Sequence, residues 1–239
     1  MKIKKLTIII PVYNEAETVE QILIKVRSVK YSVPVETIIV NDGSTDATGK
    51  KLQAFVKRNH WLKYYQHEKN AGKGAALKTG ISQATGDYIV VQDADLEYNP
   101  EDINRLIDKL HNSDADAVYG SRLTEPPVLF GSNRTPILLH YFGNKFLSLV
   151  ASLLYFTWLT DMETCYKLFP RSVVQKMNLR ARAFEFEPEI TAKLLKRGLK
   201  IVEIPITTKP RGFEEGKKLN TWKDGRRALE TLLKYRFVD

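Results

Sequence analysis

Two aspartates, Asp93 and Asp95, follow Tyr88–Val91, a short apolar segment typical of a buried strand. Neighbouring strand residues point to opposite faces, but past the end of a strand both carboxylates can turn towards one cation. Two carboxylates together with phosphate oxygens are a usual way to hold Mg²⁺ or Mn²⁺. A lone Asp-x-Asp is also typical of a solvated acidic turn, so the metal hypothesis depends on the surrounding sequence.

Polar turns also follow the first two predicted strands. The first is Pro-Val-Tyr-Asn-Glu at residues 11–15, and the second is Asn-Asp-Gly-Ser-Thr-Asp at residues 41–46. Because the carboxyl ends of parallel strands meet at one edge of a sheet, we expect these turns to lie beside Asp93 and Asp95. This placement strengthens the prediction of a metal site.

A glycine-containing segment, Asn-Ala-Gly-Lys-Gly at residues 70–74, precedes a predicted helix over residues 75–84. Glycines let the backbone approach a ligand, and a helix N-terminus attracts anions. The segment is not a P-loop, because Gly74 and not Ser or Thr follows Lys73. Leu77 breaks a G-x-G-x-x-G pattern, so the sequence gives little support to a nicotinamide dehydrogenase.

The elements that must position these residues alternate along the first 120 residues. β-Branched runs such as Leu6–Val12 and Val35–Val40 alternate with segments of helical period such as residues 101–111. This alternation predicts an α/β fold, with a mostly parallel, Rossmann-like sheet and helices on both faces. Further on we expect strands at residues 164–169 and 200–206, and helices at about 188–197 and 222–236.

The middle of the chain contains a long loop, residues 121–136, and then an uncharged stretch, Phe146–Thr160. As a helix this stretch is roughly 22 Å long, too short for a hydrocarbon core of about 30 Å. It is either a core helix or a helix that lies at a membrane interface. The apolar run near the N-terminus lacks a small-residue cleavage site, so we interpret it as a strand and not a signal sequence.

The chain has 239 residues and a net charge of +9, which is unevenly distributed. Residues 171–239 carry 17 basic and 9 acidic side chains, so the C-terminal third favours an anionic partner. The single cysteine, Cys165, excludes a disulfide framework and a cysteine metal cluster. The four histidines have no ligand spacing, and no Ser-His-Asp arrangement can be argued.

Taken together, these motifs resemble the family 2 inverting glycosyltransferases, and within them the dolichyl-phosphate mannose synthase group and its polyprenyl-phosphate relatives. The resemblance covers about residues 6–225 in the family's order and implies a GT-A fold. The matching segments are PVYNE (11–15), NDGSTD (41–46), NAGKG (70–74), DAD (93–95), GSR (120–122), DMETCYKLF (161–169) and PRGFEEGKKL (210–219).

The resemblance implies one catalytic domain over residues 1–239, with a nucleotide-sugar half at about 1–120 and an acceptor half with a basic C-terminal segment at about 121–239. The implied nucleotide-sugar-binding residues are Pro11, Tyr13, Glu15, Asp42, Lys73, Asp93, Ala94, Arg211 and Lys217. The implied metal ligands for Mg²⁺ or Mn²⁺ are Asp93, Asp95 and Glu97. Asn41 departs from the Asp of many members and leaves the base, GDP or UDP, open.

The acceptor implied by the resemblance is a polyprenyl or dolichyl phosphate, faced by Arg122 and Arg134. A phosphate monoester is largely dianionic at neutral pH and needs positioning, for which arginine is suited, and not a general base. The implied catalytic residues are Asp95, Arg122 and Asp161, the last as the base if the acceptor is instead a sugar hydroxyl. The expected transfer inverts the anomeric carbon of a hexose, with mannose ranked ahead of glucose.

The implied location is peripheral, on the cytoplasmic face of a membrane, with the membrane surface as a partner and a separate membrane protein as a further candidate partner. One alternative is a family 2 enzyme that glycosylates a sugar hydroxyl in glycan or cell-envelope synthesis. A more remote alternative, suggested by the basic charge, is a nucleic-acid-binding protein. Asp93 and Asp95 argue against it, because they would repel phosphate without a metal, and no binding motif of that class is present.

Overall fold

Seven strands form one mixed sheet in the computed structural model, which describes residues 3–126, 138–209 and 221–238. The strands are β1 (Leu6–Val12), β2 (Val35–Asn41), β3 (Leu62–Gln66), β4 (Tyr88–Val91), β5 (Ala117–Ser121), β6 (Lys167–Pro170) and β7 (Ile201–Pro205). Their spatial order is β3-β2-β1-β4-β6-β5-β7. Every pairing is parallel except those of β6 with β4 and β5, so the expected α/β fold with a mostly parallel sheet is confirmed.

Eight helices accompany the sheet in the described ranges. They are α1 (Val19–Ser28), α2 (Thr48–Arg58), α3 (Lys73–Gln83), α4 (Asp102–His111), α5 (Leu138–Tyr155), α6 (Arg171–Val174), α7 (Phe186–Lys196) and α8 (Thr221–Phe237). In α4 the predicted periodicity is confirmed, because Ile103, Leu106, Ile107 and Leu110 are all fully buried. Just before α2, Asp46 Oδ1 accepts a hydrogen bond from Thr48 N at 2.9 Å.

The strand order reverses at β1. The chain runs outwards from β1 through β2 to β3 and then returns to place β4 on the other side of β1. Ligands of open α/β sheets bind at such a reversal, beyond the carboxyl ends of the strands. The fold therefore brings the ends of β1, β2 and β4 together, and it is these three ends that carry the polar turns.

The first strand is tightly packed, and its packing fixes this edge of the sheet. Ile8, Ile9 and Ile10 are completely buried between the two helical layers, as an all-apolar run in a parallel sheet requires. β1 pairs with β2 over seven residues and with β4 over four. The turns at the carboxyl ends of β1, β2 and β4 therefore start from well-packed backbone.

The segment before β6 is not the strand predicted at residues 164–169. The strand begins only at Lys167, because the residues before it are held by hydrogen bonds that do not belong to the pairing of β6 with its neighbours. Cys165 N donates to the Tyr98 hydroxyl at 3.1 Å, and the Thr164 hydroxyl donates to Gly120 O at 2.5 Å. Residues 161–166 thus form an irregular segment fixed to the site edge.

The uncharged stretch forms a helix, but with boundaries different from those predicted at residues 146–160. α5 begins at Leu138 and ends at Tyr155, and Phe156 takes a φ of +53°, which a helix cannot continue. One face, with Leu147 and Ala151, is buried with Leu232 of α8. The opposite face is exposed, so α5 is not an all-round core helix. No helix within the described residues is long and apolar enough to cross a membrane.

Candidate functional site

The turns that follow β1 and β2 are fastened to each other by one asparagine. Asn14 Oδ1 accepts a hydrogen bond from Thr45 N at 2.8 Å, and Asn14 N donates to Ser44 Oγ at 3.0 Å. Asn14 has a φ of +47°, and Leu96, in the turn after β4, has a φ of +65°. Non-glycine residues in this conformation are uncommon and concentrate at functional sites. Asn14 follows β1 and Leu96 follows β4, the adjacent strands at which the strand order reverses.

Three predicted donor-binding residues lie along this turn. Pro11 is the penultimate residue of β1, and Tyr13 and Glu15 follow its end with partly exposed side chains. Glu15 also shapes the entry to α1, because its Oε2 accepts a hydrogen bond from the Thr18 hydroxyl at 2.9 Å. The structure therefore brings all three to the edge where a ligand would bind.

Asp42 lies at the carboxyl end of β2 and is almost completely buried. Its carboxylate accepts hydrogen bonds from Gly72 N at 2.7 Å, Ala71 N at 3.0 Å and the Asn70 amide at 2.9 Å. His67 Nδ1 lies 2.6 Å from the same carboxylate. Asp42 therefore anchors the Asn-Ala-Gly-Lys-Gly loop, a role that the sequence analysis did not anticipate. His67, one of the four histidines without ligand spacing, belongs to this anchor.

The Asn-Ala-Gly-Lys-Gly loop is packed closely against the backbone that precedes α7. Gly72 has a φ of +98°, and a Cβ there would lie 2.2 Å from Arg182 O. Ala75 N donates to the same carbonyl at 3.1 Å. Glycine is needed at position 72 for both conformation and space. The packing also brings the start of α7 to the site.

Asp93 and Asp95 follow β4 on the same edge, and Ala94 between them is buried. Asp93 Oδ1 forms an ion pair with Lys73 Nζ at 2.9 Å, and Asp95 Oδ1 accepts a hydrogen bond from Glu97 N at 3.1 Å. Burial alone would raise the pKa of Asp93, but the Lys73 charge holds it below its ordinary value. The carboxylate is therefore ionised and able to bind a cation at neutral pH.

The two aspartates fit a hard divalent cation that also takes oxygens from a diphosphate. They supply carboxylate oxygens, the ligands that Mg²⁺ and Mn²⁺ prefer, and both are partly exposed. In the described part of the chain, no three His, Cys, Asp or Glu side chains are gathered for a metal. Glu97 therefore does not complete a protein-only cluster with them, and a cation here would need ligand oxygens.

Lys73 links the aspartates to a residue that sequence reasoning missed. Its ammonium contacts Glu187 Oε1 at 2.9 Å as well as Asp93. Glu187 lies in the first turn of α7 and is only 5% exposed. An acidic side chain inside the apolar pattern of a buried helix was the signal that could have revealed it, since such groups are seldom buried without a partner.

Arg122 and Asp161 form a second ion pair beyond β5. Arg122 donates from Nε to Oδ2 at 2.7 Å and from Nη2 to Oδ1 at 2.8 Å, and its backbone N also donates to Oδ2. Asp161 is fully buried, and although burial would raise its pKa, Arg122 holds it below the ordinary value. A general base needs a free lone pair and a higher pKa. The geometry therefore favours a positioning role for Asp161 on Arg122.

A buried network of charged groups lies around these two pairs. Lys167 Nζ donates to the carbonyls of Met162 and Thr164, and burial lowers its pKa. Burial and the charge of Glu187 raise the pKa of Glu163 to about 8. Burial also raises the pKa of the Cys165 thiol, which makes it a poor nucleophile, as expected of a small apolar residue.

Three predicted site residues lie outside the described residues. They are Arg134, expected at the acceptor phosphate, and Arg211 and Lys217, expected on a loop over the donor. The remaining predicted residues meet along one edge of the sheet or directly beneath it. The site therefore combines an anion-binding loop, two carboxylates suited to a cation, and a partly exposed arginine fixed by a buried aspartate.

The sequence comparisons agree on one family. A family model described as glycosyl transferase family 2 matches residues 7–177. The UDP-N-acetylglucosamine–dolichyl-phosphate N-acetylglucosaminyltransferase of Methanococcus voltae is 29% identical over 222 residues, 86% of each chain. The dolichol-phosphate mannosyltransferase of Pyrococcus furiosus is 35% identical over 118 residues, which is 49% of this chain and 33% of that protein.

The fold is also that of solved structures. Glucosyl-3-phosphoglycerate synthase from Mycobacterium tuberculosis, in complex with Mn²⁺, UDP and glucosyl-3-phosphoglycerate, superposes with a TM-score of 0.71 at 19% identity. The match covers 99% of this chain and 81% of that one. Another structure of that synthase contains Mg²⁺ and UDP. At this identity the likeness concerns the fold, and it confirms the GT-A architecture expected from the sequence.

Proposed function

Because this chain belongs to glycosyl transferase family 2, we propose that it transfers a hexose from a nucleotide-sugar to a polyprenyl or dolichyl phosphate, with inversion. The observation that carries the proposal is the meeting of three turns at one sheet edge, after β1, β2 and β4, with Arg122 at the end of β5, which β6 separates from β4. The edge offers cation-binding carboxylates for a diphosphate and a guanidinium for a second phosphate. Two phosphate-bearing substrates fit such a site.

The donor is assigned to the turns after β1, β2 and β4. Pro11, Tyr13 and Glu15 would contact the nucleoside, on a turn that Asp42 and its loop support from beneath. Asp93 and Asp95 would hold Mg²⁺ or Mn²⁺ against the diphosphate. When bound, the cation stabilises the negative charge of the departing nucleoside diphosphate. Solved relatives in fold that contain Mn²⁺ or Mg²⁺ with UDP support a divalent cation.

The acceptor phosphate is assigned to Arg122. A phosphate monoester is mostly dianionic at neutral pH, so its oxygen is already a nucleophile and needs no general base. Asp161 contacts Nε and Nη2 of the guanidinium, and among the described residues Nη1 is left for another anion. Arg134, outside the described residues, is proposed as a second phosphate contact. The lipid phosphate oxygen attacks the anomeric carbon, and the bond to the nucleoside diphosphate breaks.

The relatives support this class of acceptor without fixing the donor. Those from Methanococcus voltae and Pyrococcus furiosus are named for transfer to dolichyl phosphate, one of N-acetylglucosamine and one of mannose. Our proposal keeps mannose ahead of glucose and adds N-acetylglucosamine to the sugars to be tested. Both GDP and UDP remain in the proposal. Asn41, where many family members have Asp, is buried and hydrogen-bonded to Ser44 and Tyr64, so its side chain does not identify the base.

A membrane surface is the proposed location of the acceptor. The α5 surface, which is 47% to 86% exposed, consists of Phe142, Phe146, Leu149, Leu153 and Phe156. Helical spacing places Phe142, Phe146, Leu149 and Leu153 on one side of the helix, and Phe156 follows directly after its end. Arg236 of α8 lies 5.7 Å from the Phe156 ring, so a basic helix adjoins the apolar surface. This combination suits the interface of an anionic bilayer. We place it on the cytoplasmic face, with a separate membrane protein as a further candidate partner.

The test uses purified protein, polyprenyl phosphate in detergent, and a panel of radiolabelled GDP- and UDP-hexoses with Mn²⁺. We expect the label of one donor to partition into the organic phase as an acid-labile lipid-linked sugar. A second arm replaces the lipid with soluble glycans. Product in the glycan arm, with none in the lipid arm, would refute the proposal in favour of a hydroxyl acceptor.

A further inference from the structure

Two buried carboxylate oxygens beside the site have no hydrogen-bond partner within the described part of the chain. They are Oε2 of Glu187 and Oε1 of Glu163. Glu187 is more than nine-tenths buried, since its residue is 5% exposed. Leaving a buried acceptor unpaired costs free energy, so such an atom in a folded protein calls for an explanation.

The position of Glu187 relates it to the donor. Lys73 Nζ lies 2.9 Å from Glu187 Oε1 and 2.9 Å from Asp93 Oδ1, so the same ammonium separates the two carboxylates. Under the proposed function, on which this inference rests, Asp93 holds the cation on the donor diphosphate. The hexose is bonded directly to that diphosphate and must lie next to it. Glu187, which shares Lys73 with Asp93, is therefore placed to contact the hexose next to the phosphates.

The local charges give the two glutamates complementary abilities. Asp93, Asp161, Glu163 and Glu187 belong to one charged cluster with only three described cations among their named partners: Lys73, Arg122 and Lys167. One carboxyl group is therefore best accommodated with its proton. Burial and the charge of Glu187 raise the pKa of Glu163 to about 8, which assigns the proton to Glu163 near neutral pH. Glu163 can then donate as well as accept a hydrogen bond, and the unpaired Oε2 of Glu187 can accept one.

We propose that Glu187 and Glu163 bind hydroxyl groups of the donor hexose and select among hexoses. A sugar hydroxyl both donates and accepts, so it matches the unpaired Glu187 oxygen as an acceptor and the protonated Glu163 as a donor. A site built to bond a hydroxyl discriminates strongly against a substrate that lacks or misplaces it. These two glutamates would thus determine which sugar is transferred.

A purely structural role for Glu187 would leave Oε2 unexplained. Glu189, two residues along the same helix, provides the contrast, because both of its oxygens are used. It accepts hydrogen bonds from Arg180 N at 2.8 Å and Ala181 N at 2.6 Å, and it pairs with Lys193 at 2.8 Å. Tyr31 and Glu185 also carry an unpaired buried oxygen, but Glu187 differs from them because Lys73 ties it to Asp93.

The test compares binding of a nucleoside diphosphate with binding of its hexose derivative, by titration calorimetry with Mn²⁺. For Glu187→Gln we expect an affinity for UDP or GDP within about twofold of wild type, and an affinity for the nucleotide-hexose about 10- to 100-fold weaker, typical of a lost charged hydrogen bond. Equal loss for both ligands would mean that Glu187 acts only through Lys73 on the diphosphate, and it would overturn the inference.

Deoxy donors, each lacking one hydroxyl, provide a second measurement. In wild type, removal of the recognised hydroxyl should weaken binding, whereas in Glu187→Gln the same removal should have no further effect, because the pair is already broken. Additive losses for every deoxy donor would contradict direct contact. Glu189→Gln is the matched control, expected to lower thermal stability without changing the ratio of the two affinities.

Glu163→Ala is measured in parallel and is expected to show the same selective loss, because alanine removes both the donor and the acceptor. If Glu187→Gln fails to fold, by circular dichroism, Glu163→Ala and its deoxy-donor cycle decide the matter alone. The outcomes also separate the two proposals. A wild-type protein that binds neither UDP nor GDP, with or without a hexose, overturns the proposed function. Normal nucleotide binding with unselective glutamate variants overturns only the present inference.

Discussion

Arg122 and Asp161 form a two-point ion pair, in which Nε and Nη2 of the arginine contact the two carboxylate oxygens at 2.7 and 2.8 Å. Asp161 is fully buried, whereas the Arg122 side chain is 23% exposed. One end of the pair is thus fixed inside the protein and the other can reach a substrate. Asp161 thus fixes the orientation of the Arg122 guanidinium.

Asp161→Asn should therefore impair both stability and transfer. Removing one partner of a buried ion pair costs about 3–5 kcal/mol, because the other charge loses its compensation. Urea unfolding would measure this loss. The pH–rate profile tests the role: a positioning residue leaves its acidic limb in place, while loss of that limb would restore Asp161 as a general base. Asp114→Asn, in an exposed pair with Lys200, is the control and should change neither property.

Asp95→Asn should abolish transfer while leaving the fold intact. A catalytic cation stabilises the transition state by several kcal/mol, so loss of a ligand should lower kcat by about 100-fold or more. Chelation of the wild-type enzyme should have the same effect, reversed by Mn²⁺. The exposed Asp108→Asn on α4 is the control. Full wild-type activity in a chelator would refute the metal assignment.

Gly72→Ala should destabilise the protein by more than its φ alone explains. Gly72 and Gly198 both have a positive φ, +98° and +75°, but only at Gly72 would a Cβ meet backbone, at 2.2 Å from Arg182 O. We expect about 1–2 kcal/mol for Gly198→Ala, the cost of the left-handed conformation. A clearly larger loss at Gly72 is predicted. Equal losses in thermal unfolding would mean that the loop moves freely away from residues 181–183.

The decrease in the free energy of unfolding at low pH should depend on Glu36. Burial alone would raise the pKa of Glu36, but the Lys63 ammonium and hydrogen bonds from Thr85 and Thr7 lower it to about 2. A group with a lowered folded-state pKa stabilises the protein above its unfolded-state pKa, about 4.3, and this contribution disappears as the pH falls towards 2. Glu36→Gln should flatten the fall in unfolding free energy over that range. Glu17→Gln, exposed on the surface, should leave it unchanged.

The α5 surface should bind anionic vesicles. Phe146→Ser combined with Leu153→Ser should reduce co-sedimentation, because less apolar area can enter the interface. Neutralising the basic residues of α8 should also reduce it and weaken its salt dependence; these are Lys223, Arg226, Arg227, Lys234 and Arg236. Ile24→Ser, at an equally exposed apolar position on α1, is the control. Vesicle binding unaffected by both sets of changes would contradict the assignment.

The sequence by itself determined the sheet and the turns at its edge. The apolar run Leu6–Val12 is the strand observed, because a continuous run of β-branched residues suits a strand buried on both faces. Strand–helix alternation dictates parallel pairing, and parallel pairing brings the carboxyl ends of β1, β2 and β4 together. The proximity of Asp93 to the turn at Asp42 was therefore predictable without coordinates.

Only the tertiary structure decided the partners of those residues. Lys73 and Glu187 are separated by more than one hundred residues, and their contact exists because the backbone before α7 packs against Gly72. Asp42 was predicted to contact a nucleotide, and the structure adds that it binds four groups of a loop that follows β3. A buried carboxylate must find donors wherever packing supplies them. Local sequence specifies that such groups are present, but the assembled layers select their partners.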